Sequence, residues 1–220
     1  MDTHTLIQLL GEGTVQTLIM TLVGTLLSYI IGLPVGVSLI VTGPNGIKPV
    51  AWYNKIMGFI VNVIRSMPFL ILMIALMPYI RKVIGTGIGT WAVTTALVLA
   101  AWPFVARMVE QSLLEVDAGV IEAAQAMGAS NMQIIRKVLL LEARPSLING
   151  AAVATITILG YSAMAGILGG GGLGDIAIRY GYYRYQATIM WITIIVLVVL
   201  VQIMQEIGIR LAAKLDNRLN

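Results

Sequence analysis

No charged residue stands between Glu12 and Lys48. A stretch of that length, rich in leucine, isoleucine, valine and glycine, has no polar face to turn to water. About 20 apolar residues suffice to cross the hydrocarbon core of a bilayer. The pattern recurs over Ile56–Tyr79 (interrupted by Arg65), Val83–Ala106, Ser146–Gly174 and Tyr185–Gln205. In lipid every backbone N–H and C=O must find its partner inside the segment, so each run reads as a helix. The expected fold is all-α, a polytopic membrane protein with five transmembrane helices.

Composition agrees. Hydrophobic residues make up 58% of the chain and charged ones 11%, against about a quarter charged in soluble domains; the mean hydropathy is +0.91. The net charge of +4 suggests lysine and arginine kept on the cytoplasmic side, not nucleic-acid binding. The absence of cysteine excludes disulfides, thiol catalysis and cysteine-ligated metals. His4 is the single histidine, so no histidine-based metal site is expected either. The opening MDTHTLIQLLGEGT carries no Lys or Arg and no small-residue cleavage site, and the first apolar segment is expected to stay as an anchor.

Lysine and arginine set the orientation. With the N-terminus outside, nine fall in cytoplasmic segments: Lys48, Lys55, Arg107, Arg136, Lys137, Arg144, Arg210, Lys214 and Arg218. Four (Arg81, Lys82, Arg179, Arg184) fall outside, which favours N-out and C-in. The expected division is an extracytoplasmic segment 1–13, a transmembrane domain 14–206 and a cytoplasmic tail 207–220. The spans lie at about 14–42, 56–80, 83–107, 146–168 and 185–206, with a cytoplasmic loop 108–145 between helices 3 and 4. No acidic residue occurs between Glu12 and Glu110. Ion-coupled carriers generally need an ionisable group within the membrane, so energy for uphill transport is expected to come from elsewhere.

Several features interrupt the apolar runs. Gly32–Gly36 (GLPVG) pairs small residues with a proline, which suits close helix packing and a kink more than a direct part in transport. Pro68, Pro78 and Pro103 are expected to break up spans two and three. Arg65 either snorkels to the headgroups or lines the bundle interior. In GYSAMAG, Tyr161, Ser162 and Met164 either face a substrate path or form a small-residue helix interface. LGGGGLGD contains G-x-G-x-x-G at Gly169, Gly171 and Gly174, yet it follows an apolar helix and lacks the strand a dinucleotide site needs. A tight turn is the expected role. No G-x-x-x-x-G-K-[ST] occurs, so the chain is not expected to hydrolyse ATP itself.

The loop 108–145 is different. Nine charged residues fall between Arg107 and Arg144, inclusive. Asp117 suits the cap of a helix from Ala118 through IEAAQAM, which Gly128 would end in the left-handed conformation. Ser130 to Gln133 then forms a capping box for a second helix, with Ile134, Ile135, Val138 and Leu139 as its apolar stripe. Pro145 suits the first turn of span four. Ala123, Ala124, Ala126 and Ala129 would let another protein's backbone approach, with Glu122 at the edge. The plainer alternative is a structured tie between spans three and four. A DNA-reading helix-turn-helix is disfavoured in a short, tethered segment poor in base-reading side chains.

At these residues the chain resembles the ABC-importer permeases. Glu122-Ala123-Ala124, three residues, Gly128, nine residues and Val138-Leu139-Leu140 resemble their EAA loop, E-A-A-x-x-x-G-x(9)-I-x-L-P. Val138 replaces the isoleucine and Leu141 the proline, which leaves the bend after the second helix open. IGLPVGV, RSMPFLIL, FVARMVE, GYSAMAGILGGGGLG and YGYYRYQAT resemble the methionine-importer permeases over nearly the whole chain. The resemblance implies a homodimeric type I permease of the bacterial cytoplasmic (inner) membrane, working by alternating access. Its implied partners are two cytoplasmic ATP-binding subunits carrying ATP and Mg, and an extracytoplasmic substrate-binding protein; no nucleic acid is involved. Coupling would fall to Glu122, Ala123, Ala124, Gly128, Ala129 and Ser130. Substrate would be methionine, D- and L-, by resemblance alone, since the twelve methionines are packing residues. Another small polar solute, or a self-sufficient channel or ion-coupled carrier, remain as alternatives.

Overall fold

A computed structural model describes residues 3–215. Arg218, which entered the charge count, and the rest of the tail beyond Leu215 lie outside the described residues, as do Met1 and Asp2. Among the described residues the secondary structure is helical throughout, with no strand. The helices are α1 (Thr3–Thr42), α2 (Ala51–Ser66), α3 (Phe69–Ile84), α4 (Thr90–Leu114), α5 (Ala118–Ala126), α6 (Asn131–Ile134), α7 (Leu140–Glu142), α8 (Arg144–Ala165), α9 (Gly172–Ile176) and α10 (Ala187–Leu215). Two π-helical stretches, Ile135–Leu139 and Ala177–Tyr182, follow α6 and α9 without a break in the chain's helical course.

The first helix has 40 residues, about 60 Å at 1.5 Å per residue and about twice the hydrocarbon thickness. The segment expected to precede the first span is therefore part of that span's own helix from Thr3 onward. Pro34 lies inside α1, which continues past it. The expected second span is in fact two helices of 16 residues each, bent by 105° across Met67-Pro68. Pro68 has no N–H to give to a preceding turn and bars its neighbour from helical geometry. Pro78 and Pro103 were expected to act likewise, but α3 and α4 run through them.

The third span also begins later than expected. Helix α3 continues to Ile84, where Gly85 (φ 83°) closes it by donating its N–H to Arg81 O at 2.9 Å. Gly89 (φ 100°) completes the turn before α4 starts at Thr90. Both glycines hold backbone conformations that side-chain-bearing residues avoid. Four helices, α1, α4, α8 and α10, are long and apolar enough to cross a membrane, and the bent α2–α3 pair makes a fifth crossing if taken as one.

Small residues fix the helix directions. A Cβ on Gly32 would meet Trp102 O at 2.9 Å and Val105 Cγ1 at 2.7 Å, and one on Gly36 would meet Val109 Cβ at 2.8 Å. Contacts that advance together along both chains mean that α1 and α4 run parallel, pressed as closely as small-residue helix pairs allow. Gly24 lies against Ile158, and Gly150 lies near Tyr29. Ile189 of α10 clusters with Leu6, Leu9 and Leu10 of α1, whereas Gly208 meets Ala152 at the start of α8.

The chain divides into two units. The first comprises 1–28, 67–101 and 155–205. Its core gathers Met20, Met73, Ile80, Val93, Leu97 and Ala165. The second comprises 29–66, 102–154 and 206–220, of which the structure describes up to Leu215. Its core gathers Val105, Val109, Leu113, Ala124, Ile134, Leu139 and Ala154.

Candidate functional site

The polar loop folds as two short helices around a left-handed glycine. Asp117 accepts the Gly119 N–H at 2.7 Å and starts α5, a helix of nine residues. At its end the Met127 N–H donates to Ala123 O, the Gly128 N–H to Gln125 O (2.9 Å) and the Ala129 N–H to Ala124 O (3.1 Å). Gly128 has φ 79°, so these carbonyls are satisfied by a left-handed closure that glycine adopts without strain. Ser130 and Gln133 then form the reciprocal capping box: Gln133 Oε1 accepts the Ser130 N–H at 2.7 Å and Ser130 Oγ accepts the Gln133 N–H at 3.4 Å. The bend left open by Leu141 lies in a π-helical turn over Ile135–Leu139, then α7, and the chain enters α8 at Arg144 with Pro145 in its first turn.

Burial divides the sequence-predicted coupling residues. Ala124 is only 5% exposed and packs in the core with Val105, Ile134 and Leu139. It faces its own protein, not a partner, so the close-fit role expected of it does not match its position. Ala129 is half-buried against the same core. Glu122, Ala123, Gly128 and Ser130 are exposed. Sequence reasoning missed Met127, which projects at 82% exposure beside Val120 at 42%. The pair at positions i and i+7 lies on one helix face with Ala123 between them. An apolar side chain so far out of the core was visible as a break in the pattern after Ala126. Next to this ridge, a cleft of about 180 Å³ opens between Glu122 and Gln125 of α5 and the Asn45-Gly46-Ile47 turn after α1.

The residues considered for a substrate path separate. Arg65 is exposed in the last turn of α2, where its charge suits the negative end of the helix dipole. Tyr161 stacks on Phe69, the rings 3.7 Å apart and 13° from parallel. Ser162 is 1% exposed and donates its hydroxyl to Leu159 O at 2.7 Å, so its polarity is spent within its own helix. Met164 is 44% exposed. Ser162→Ala is accordingly expected to preserve transport in uptake assays and to lower stability by at most about 1 kcal/mol in detergent melts.

The glycine-rich segment turns over Gly169–Gly171 and then opens α9 at Gly172. Gly169, Gly171 and Gly172 have positive φ. The turn is tied down by four bonds from elsewhere in its unit. The Gly172 N–H donates to Gln16 Oε1 (2.7 Å), the Leu173 N–H to Thr17 Oγ1 (2.9 Å), the Gly89 N–H to Gly169 O (2.9 Å) and Thr90 Oγ1 to Gly170 O (3.1 Å). No cluster of three metal-ligating side chains occurs among the described residues.

Comparisons with known proteins agree with this architecture. The family described as binding-protein-dependent transport system inner membrane component matches residues 32–212. A probable D-methionine transport system permease protein MetI of Vibrio cholerae serotype O1 is 49% identical over 210 residues, covering 96% of this chain and 93% of that protein. The D-methionine transport system permease protein MetI of Escherichia coli K12 is 50% identical over 158 residues, 72% of this chain and 73% of that one. A chain of the MetNI methionine ABC transporter, crystallised in inward-facing conformations, superposes with a TM-score of 0.96 at 46% identity. That match covers 99% of this chain and all of the other. A chain of an amino acid ABC transporter shares the fold alone, at 20% identity and a TM-score of 0.73. This multi-pass membrane chain therefore belongs to the binding-protein-dependent transport system inner membrane components, within the family of methionine ABC-importer permeases.

Proposed function

We propose that this chain is the permease subunit that passes methionine, D- and L-, across the bacterial cytoplasmic membrane, N-terminus outside. The observation that carries the reading is the likeness to a MetNI chain over the full length, with the capped α5–Gly128–α6 loop intact. ATP hydrolysis belongs to a separate subunit. Two copies of that ATP-binding subunit, holding ATP and Mg, would each grip one α5, and two permease copies would enclose the path. An extracytoplasmic binding protein would deliver substrate.

In this reading α5 presents Val120, Ala123 and Met127 as an apolar ridge, with Glu122 as a polar contact beside it. Ala124, Ala129 and Ser130 act behind it, fixing the ridge to the body of the permease. Closure of the ATPase pair draws the two loops together and switches the spans between inward- and outward-open states, each stabilised by its own contacts. Tyr161 and Met164 are the side chains of the fourth span assigned to the path wall.

Co-purification tests the assignment. The ATP-binding subunit, co-expressed with this permease, should come down with it from detergent extracts and be lost at least tenfold with Met127→Asp, about 1.4 kcal/mol per decade of affinity. Met127 is exposed, so the substitution is expected to leave the permease folded. Concentrative uptake by the purified chain alone would instead establish a self-sufficient carrier.

A further inference from the structure

Helix α2 carries a feature that the transport reading does not use. Its inner face is bonded to the rest of its unit. Tyr53 Oη donates to Ser38 Oγ (3.0 Å), Asn54 Nδ2 to Leu39 O (2.7 Å), and Arg107, ion-paired with Glu110, donates to Asn62 Oδ1 (2.9 Å). Its outer face is apolar and uncovered: Trp52, Ile56, Phe59 and Val63, at i, i+4, i+7 and i+11, are 68%, 54%, 69% and 37% exposed. Lys55 and Ser66 flank this stripe along one edge.

Its depth follows from its neighbours. Gly32 and Gly36 of α1 pair with Val105 and Val109 of α4, so Arg107 and Glu110 lie level with the stretch of α1 just after Gly32. A half-buried ion pair marks the end of the apolar layer on that side. Helix α2 reaches from Ser38–Thr42 at one end to Arg107 at the other, and so lies at that boundary or beyond it. It is also bent by 105° from α3, the charge-free helix that follows as far as Ile80.

We infer that α2 is an in-plane interfacial helix, its Trp52–Ile56–Phe59–Val63 stripe seated in the headgroup–acyl boundary of the leaflet on the side of the 115–143 loop. Two things on the chain itself select lipid as the occupant. The helix follows α1, which is long and apolar enough to cross the membrane, and leads into the apolar α3, so the stripe is held close to the bilayer. Its charges are Lys55 and Arg65, with Lys48 just before it and no acid anywhere from Gly13 to Val109, a pattern complementary to anionic headgroups. Aromatic Trp52 sits at one end of the stripe, in the manner of an interfacial anchor.

The chain has no cysteine, so single labels are readily placed on the full-length permease, assembled with its ATPase in nanodiscs. Spin labels at Phe59→Cys, Ile56→Cys and, on α3, Ile74→Cys are read against lipids quenched at the headgroup-proximal and the terminal acyl carbons. For the α2 sites we expect at least about threefold stronger relaxation by the shallow quencher than the deep one, with the order reversed at Ile74. Replacing anionic by zwitterionic lipid should lower the α2 signal, and Lys55→Glu should reproduce that loss. A deep profile at Phe59 would make α2 part of a crossing. A lipid-insensitive label that contacts the same site on a second copy would make the stripe a permease–permease interface. Either result overturns the proposal, and neither bears on whether the ATPase binds, which is read separately by co-purification.

Discussion

Gly128→Pro is expected to abolish substrate-stimulated ATP hydrolysis in the assembled complex while the permease still reaches the membrane. Gly128 has φ 79° and donates its N–H to Gln125 O. Proline fixes φ near −65° and has no N–H, so it loses the bond and cannot adopt the turn. The Ala129 N–H to Ala124 O bond that depends on the same turn goes with it. Helix α5 would then be uncoupled from the capping box that begins α6, and motion of a bound ATPase would no longer reach α8. The series has an internal gradation. A Cβ at Gly128 would meet open space, so Gly128→Ala carries only left-handed backbone strain, about 1–2 kcal/mol, and should retain partial coupling. Ala124→Asp, by contrast, places a carboxylate in the core beside Ile134 and Leu139, and should lose the loop fold as well as coupling. ATPase rates of complexes in nanodiscs, set against the amount of permease in the membrane, check the series; full coupling in the proline variant would remove the loop from the mechanism.

How much of this was legible in the sequence depended on whether the signal was local. The α5–α6 loop was, because a cap, a left-handed closure and a capping box each involve residues three or four apart: Asp117, Gly128, and Ser130 with Gln133. The helical nature of the runs was equally plain, since lipid permits little else. Pro68, Pro78 and Pro103 look alike in sequence, yet only Pro68 ends a helix. Burial does not separate them, since Pro68 and Pro78 are both exposed and Pro103 is buried, and no short window of sequence records the difference. The Gly85–Gly89 turn was obscured by apolar neighbours that lengthened the hydrophobic run. Gln16 and Thr17 gave no sign that they hold a turn 156 residues away. Alanine content suggested that the whole EAA segment faces a partner; helical periodicity, and not composition, decided that Ala124 turns inward.

Gly174→Ala is expected to be the most damaging single-methyl substitution, lowering stability by about 3 kcal/mol, the upper end of ordinary overpacking. At Gly174 a Cβ would come within 2.7 Å of Ala163 C, and one at Gly166 within 2.8 Å of Asp175 Cα. The end of α8 and the start of α9 thus cross backbone to backbone, with no side-chain tip free to swing away. Gly160 is the control, being in the same α8 with open space where its Cβ would be. There alanine removes glycine's excess freedom and should be neutral or stabilising by about 0.5–1 kcal/mol. Thermal unfolding in one detergent should therefore rank Gly160→Ala at or above the parent and Gly174→Ala far below it. Equal melting points would mean that the crossing can open at little cost. If it cannot, the four bonds from Gln16, Thr17, Gly89 and Thr90 to the glycine turn act on a rigid junction.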